Sequence, residues 1–239
     1  MTEAEWLAAN SPWRMLRSLQ FTQSDRKQRL AAVAICRHIW HLLTDERSRH
    51  AVLVGERYAD GLAEKQELLG ADTDADAACH ETPSCEARAA WFVSSDTCYY
   101  LRNEGMPRID NHHRGPLPQE VSTQAIDAVL HSKLVVAPAM YTTWVEDEVA
   151  EQAAHIALIR EIFGNPFRPV AVNPEWRTST VMQLARGIYD NRNFSDLPIL
   201  ADALQDAGCD CDDILNHLRD ANATHVRGCW ALDLVLGKE

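Results

Sequence analysis

Apolar residues that recur at three- and four-residue steps, set between capping residues and helix breakers, constrain this chain more than any other feature. From Ser24 to Leu43 the positions Leu30, Val33, Ile35, Ile39, Leu42 and Leu43 keep that spacing, while Arg26, Lys27, Arg29 and Arg37 fall on other faces. This stripe predicts a helix. Thr2 and Glu5 stand at capping-box spacing, and Pro12 opens a second helix through Leu19. Thr44 is the expected cap of a further helix reaching about Asp60, with Gly61 as its break before the acidic stretch Leu62–Leu69.

The same grammar returns later in the chain. It predicts helices over Glu120–His131 and Ala139–Phe163, the second carrying Trp144, Val145, Val149, Ile156, Ile159 and Phe163 as one stripe and stopping at Gly164. The segment NPFRPVAVNPEW holds three prolines and reads as an extended crossing. Asn173-Pro174 then reads as the start of a helix to Tyr189, followed by Leu197–Ala207, Asp210–Arg219 capped by Asp210, and Val226–Leu236. Between the halves, ADTDADAACHETPSCEARAA is small and acidic and GMPRIDNHHRGPLP is punctuated by proline and glycine, so residues 71–119 read as a variable insertion or linker. WFVSSDTCYYL, inside it, suits a short strand or a packed aromatic helix equally. The expected fold is mainly α: a multi-helix orthogonal bundle with an irregular central insertion. Residues 1–70 form an N-terminal helical part, and residues 120–239 a C-terminal helical part that shares its core.

The 239 residues, 46% of them hydrophobic, suffice for a core of ordinary size. With 23 Lys and Arg against 35 Asp and Glu the net charge is −12, which opposes general attraction to nucleic acid. Residues 1–60 carry nine basic and seven acidic side chains (+2), so the acidity belongs to residues 61–239, with 14 against 28 (−14). No apolar run is long enough for a membrane span, and the opening MTEAEWLAAN lacks the basic start of a signal peptide. Seven cysteines without a CxxC pair read as reduced thiols, so a cytoplasmic location is expected. Neither phosphate-loop glycine motif occurs, nor does a GxSxG elbow.

The opening MTEAEWLAAN, the run DRKQRLAAVAICRHIWHLLTDERSR and the tail strings FGNPFRPV, LPILADALQDAGC and HVRGCWALDLVLGKE resemble a group of uncharacterised proteins abundant in Gemmata-type planctomycetes. The resemblance covers roughly residues 1–65 and 160–239. LPILADALQDAGCDCDDILNHLRD also resembles short helical companion segments attached to planctomycete repeat proteins. These resemblances imply a bacterial lineage and a modular habit. They imply no reaction, and no catalytic residue is carried over.

Metal chemistry is the sharpest functional reading of the residues. Cys79, His80, Cys85, Cys98, His112 and His113 lie within 35 residues, and thiolates with imidazoles are the donors of a tetrahedral zinc site. Their spacing lacks the paired knuckles of ordinary structural sites, so a cysteine-containing insertion is the competing account. Asp147, Glu151 and His155 follow one another at four-residue steps and read as a solvated charged face. His38, His41 and Cys36 read as partly buried among apolar neighbours. Cys229 and His225 could meet on a helix as thiol and base, against the simpler reading of a buried cysteine beside Trp230. Ser195 and Asp210 suit capping. The expected function is a helical protein-interaction or regulatory module with a protein partner and no cofactor. The alternative is a zinc-binding domain or small metalloenzyme built on the Cys79–His113 cluster. Exposure of Trp6, Trp13, Phe167 or Trp176 would mark a partner surface.

Overall fold

The computed structural model describes residues 1–19, 24–81, 90 and 143–238, and every regular element among them is helical. In chain order these are α1 (Glu3–Leu7), α2 (Pro12–Ser18), α3 (Asp25–His38), α4 (Glu46–Ala59) and α5 (Lys65–Glu81). Then come α6 (Thr143–Phe163), α7 (Ser179–Asn191), α8 (Leu197–Asp206), α9 (Asp212–Arg219) and α10 (Trp230–Leu236). The mainly α, multi-helix class follows directly from the apolar periodicity. Two compact units emerge, residues 1–8 with 157–239 and residues 9–156. The expected helix Glu120–His131 and the segment WFVSSDTCYYL lie outside the described residues.

In the unit of residues 9–156, α3 is buried over Arg29–Cys36, more than one stripe wide. Its Ser24 cap accepts from the Lys27 amide, as a helix start requires. The helix ends at His38 rather than Leu43, because a 3₁₀ turn, Trp40–Leu42, tightens the chain so that both Ile39 and Leu43 bury. Arginines on the faces away from that stripe tie α3 to α4. Arg37 forks onto Glu56 at 3.2 and 2.7 Å, and Arg26 reaches Asp60 at 3.0 Å. Arg29 is buried, its guanidinium 5.3 Å from the centre of the Tyr58 ring.

Asp45, not Thr44, caps α4: its carboxylate accepts from the Arg47 amide at 2.9 Å while also holding the Arg47 guanidinium. Gly61 follows with φ +70°. Next, α5 continues through Glu81, into the stretch read as linker. Ala71, Ala75 and Ala78 repeat at helical spacing and are buried, and Leu68, Ala71 and Ala75 pack with Ala51 and Val54 of α4. Alanines here allow close helix approach, so low hydrophobicity does not mean a loop.

In the unit of residues 1–8 and 157–239, α1 forms with its capping box intact and Trp6 buried. Arg160 donates to the carbonyls of Trp6 and Leu7 at 2.8 Å, and Asn165 and Arg168 both hold Glu3. The proline-rich crossing after Gly164 is non-helical, as expected. Asn173-Pro174 opens only a 3₁₀ turn; Thr178 caps α7, accepting from the Val181 amide. Similarly, Cys211 rather than Asp210 occupies the N-cap of α9. The core joins Val181, Ile188, Leu197, Leu200, Leu204, Ile214, Leu218, Leu232 and Val235 from α7 to α10. The last helix begins at Trp230, not Val226, since Gly228 at φ +96° makes the preceding turn.

Candidate metal centre

Four metal-ligating side chains meet in the unit of residues 1–8 and 157–239. Glu161 comes from the last turn of α6, His217 from α9, His225 from the loop after α9, and Cys229 from the residue that starts α10. Four stops and starts of regular structure thus converge on one point, with one donor atom of each side chain within 4.8 Å of every other. His217 Nε2 lies 3.2 Å from Glu161 Oε2 and 3.3 Å from Cys229 Sγ. His225 Nδ1 lies 3.0 Å from Glu161 Oε1. Zinc bonds of about 2.0–2.3 Å at the tetrahedral angle place donor atoms about 3.3–3.6 Å apart. These contacts fall near that range.

The surroundings hold the donors in place. Trp230 packs on His217 with ring centres 4.9 Å apart, and the two imidazoles meet edge to face at 5.2 Å. His225 also makes a hydrogen bond to the Asp220 backbone, the kind of outer contact that fixes the tautomer of a metal-bound histidine. Glu161 and Cys229 are buried, and the side chains of His217 and His225 are 18% and 8% exposed.

Electrostatics set the protonation of the metal-free cluster. Burial pushes the Glu161 carboxyl up, but hydrogen bonds from His217 and His225 outweigh it and hold the group below the ordinary glutamate value. Burial likewise opposes charge on His225, and the hydrogen bond to Glu161 overcomes it, so His225 is raised. Burial, reinforced by the Glu161 charge, drives the Cys229 thiol well above its usual value. A thiol raised in this way is held back from the thiolate form that a nucleophile needs, and its imidazole contact is His217 rather than His225.

A metal ion changes that balance. One thiolate and one carboxylate neutralise a divalent cation, and two neutral imidazoles complete four-coordination without leaving net charge in a buried site. Thiolate ligation favours zinc over magnesium or calcium. A pocket of about 370 Å³ adjoins the cluster, lined by Phe194, Pro198, Leu218 and Asp220 among others, and His225 is the one donor that reaches it. The other three donors do not line it.

The sequence-predicted residues sit differently. Cys79 is buried on α5 while its neighbour His80 is exposed, bonding the Asp76 carbonyl, so the helix turns these two apart. Cys85, Cys98, His112 and His113 lie outside the described residues. Glu151 and His155, expected on a solvated face, are both buried; the Asp147 side chain lies outside the description. Cys36 is buried as expected, with its thiol pushed up to about 12 by burial, whereas His38 and His41 are exposed. Ser195 is exposed and hydrogen-bonds Asn193 within a turn. Glu161 and His217 escaped the sequence reading because each lies in an ordinary amphipathic helix. The only sequence signal was local: two histidines and a cysteine within thirteen residues, His217 to Cys229. No family model, curated protein or solved structure matches the chain.

Proposed function

We propose that this chain is a zinc-stapled helical scaffold, in which Glu161, His217, His225 and Cys229 bind one zinc ion. The observation that carries the reading is the convergence of four donors of suitable type, mutually within 4.8 Å, in a buried setting. A four-ligand buried centre is the pattern of a structural ion, since catalytic zinc keeps a position for water or substrate. The ion's role is then to hold α9, the following loop, α10 and the end of α6 together. The −12 net charge favours a protein partner over nucleic acid. Among the described residues, free thiols at Cys36, Cys79, Cys209 and Cys211 support the cytoplasm as its compartment. No described helix is long and apolar enough to cross a membrane.

Cobalt substitution tests the site. Stripped protein titrated with Co²⁺ is expected to develop a thiolate-to-metal charge-transfer band that disappears in Cys229→Ser and His217→Ala and persists in the double variant Cys79→Ser/Cys85→Ser. A band lost only in the Cys79/Cys85 variant moves the centre to the Cys79–His113 segment. No band in the wild type overturns both readings.

A further inference from the structure

We infer that the pocket beside His225 binds a small organic cation, an ammonium group carried on an apolar body. The pocket measures about 370 Å³, within the roughly 300–1,000 Å³ of small-molecule sites. Its walls come from the turn Phe194–Asp196, the first turn of α8, the end of α9 and the loop that runs from Asp220 to His225. Phe194, Pro198 and Leu218 give it an apolar lining, which favours a hydrocarbon body.

The polar groups decide the sign of the ligand. Ser195, Asp220 and His225 are the polar residues of the lining, and no Lys or Arg stands among the described residues there. Ser195 Oγ donates its proton to Asn193 Oδ1 at 2.8 Å and keeps acceptor sites only. His225 Nδ1 is held 3.0 Å from Glu161 Oε1, and the ring also bonds the Asp220 backbone, so its nitrogens are spent inside the protein. Asp220 Oδ1 accepts from the Asn222 amide at 2.9 Å, which fixes the carboxylate while using one of its roughly four acceptor sites. The Ala223 amide donates to the Asp220 carbonyl at 3.2 Å, so that carboxylate sits on an ordered turn and needs little ordering on binding.

The lining side chains therefore offer a ligand acceptors and one negative charge. A ligand carboxylate or phosphate is repelled by Asp220 and finds no side-chain donor. An ammonium group finds a charge-assisted partner in Asp220 and a second acceptor in Ser195. The surrounding unit, residues 1–8 and 157–239, carries eight basic against fourteen acidic side chains and adds to the same preference. The acceptors belong to Ser195 and Asp220 rather than to the metal donors, so the site is separable from the zinc staple.

Phenethylamine and hydrocinnamate, similar bodies of opposite charge, test the assignment when titrated into the full-length chain and followed by amide NMR. The amine is expected to bind saturably and to shift the amides of Ser195, Ala221 and Ala223, and the carboxylate to shift none of them. Asp220→Asn keeps a side-chain oxygen for the Asn222 amide and removes the charge, so it should bind the amine about tenfold more weakly or worse. Ala223→Phe, which fills the pocket, should abolish amine binding with far-ultraviolet circular dichroism unchanged; if that variant fails to fold, Asp220→Asn decides alone. Equal affinity for the two probes overturns the assignment, as do an unchanged amine affinity in Asp220→Asn, amide shifts confined to other regions, or no saturable binding of the amine.

Discussion

Gly164 ends α6 in the left-handed region at φ +62°, and a Cβ built there would lie 3.0 Å from the Trp230 ring. Both the conformation and the space call for glycine, and Trp230 in turn packs on His217. Gly164→Ala should therefore destabilise the protein by about 1–2 kcal/mol from the backbone conformation alone, with more from displacing the indole. Denaturant unfolding followed by tryptophan fluorescence measures it, and weaker cobalt binding should accompany it. Asp45 gives a second case. Its carboxylate caps α4 and is lowered chiefly by the Arg47 hydrogen bond. Asp45→Ala should cost about 1 kcal/mol at pH 7. A carboxyl lowered in the folded state stabilises above its unfolded value and loses that contribution as pH falls through the folded value. The gap between wild type and Asp45→Ala should thus close below about pH 4. Urea titrations at pH 7 and pH 3 check both the size and the sign.

At the scale of elements, helix existence was legible and helix partners were not. Ser24, Pro12, Thr2 and the glycines at 61, 164 and 208 punctuate the chain where the sequence places them, because caps and positive-φ residues act within a few residues. α5 shows the limit. Its alanines read as linker by composition, yet Ala71 and Ala75 pack closely with α4, a fact about the neighbouring helix rather than α5 itself. Ala75 is fully buried, so Ala75→Leu is expected to overpack the α4–α5 contact and cost about 1–3 kcal/mol by thermal unfolding. A stability change under about 0.5 kcal/mol, the range of ordinary surface substitutions, would show that the contact is loose. The arginines of α3 make the same point: the stripe fixes only that they lie on other faces, and pairing with Glu56 and Asp60 depends on which element faces them.

For the whole molecule, the staple predicts that stability depends on metal. Zinc held at a thousand times its dissociation constant stabilises the folded state by about 4 kcal/mol, so chelation should lower the unfolding midpoint of the wild type and leave Cys229→Ser unmoved by the same centre. Calorimetry with and without chelator measures the difference. The sequence by itself determined the helical class, most helix stops and the uneven charge, because periodicity, capping and glycine conformation are local properties of a chain. Only the tertiary structure decided that Glu161, His217, His225 and Cys229 share one point, that Glu151 and His155 turn inward, and that the opening helix joins the closing ones. Those facts depend on which helix faces meet, and side chains 56 or more residues apart, such as Glu161 and His217, carry no mark of each other until packing brings them together.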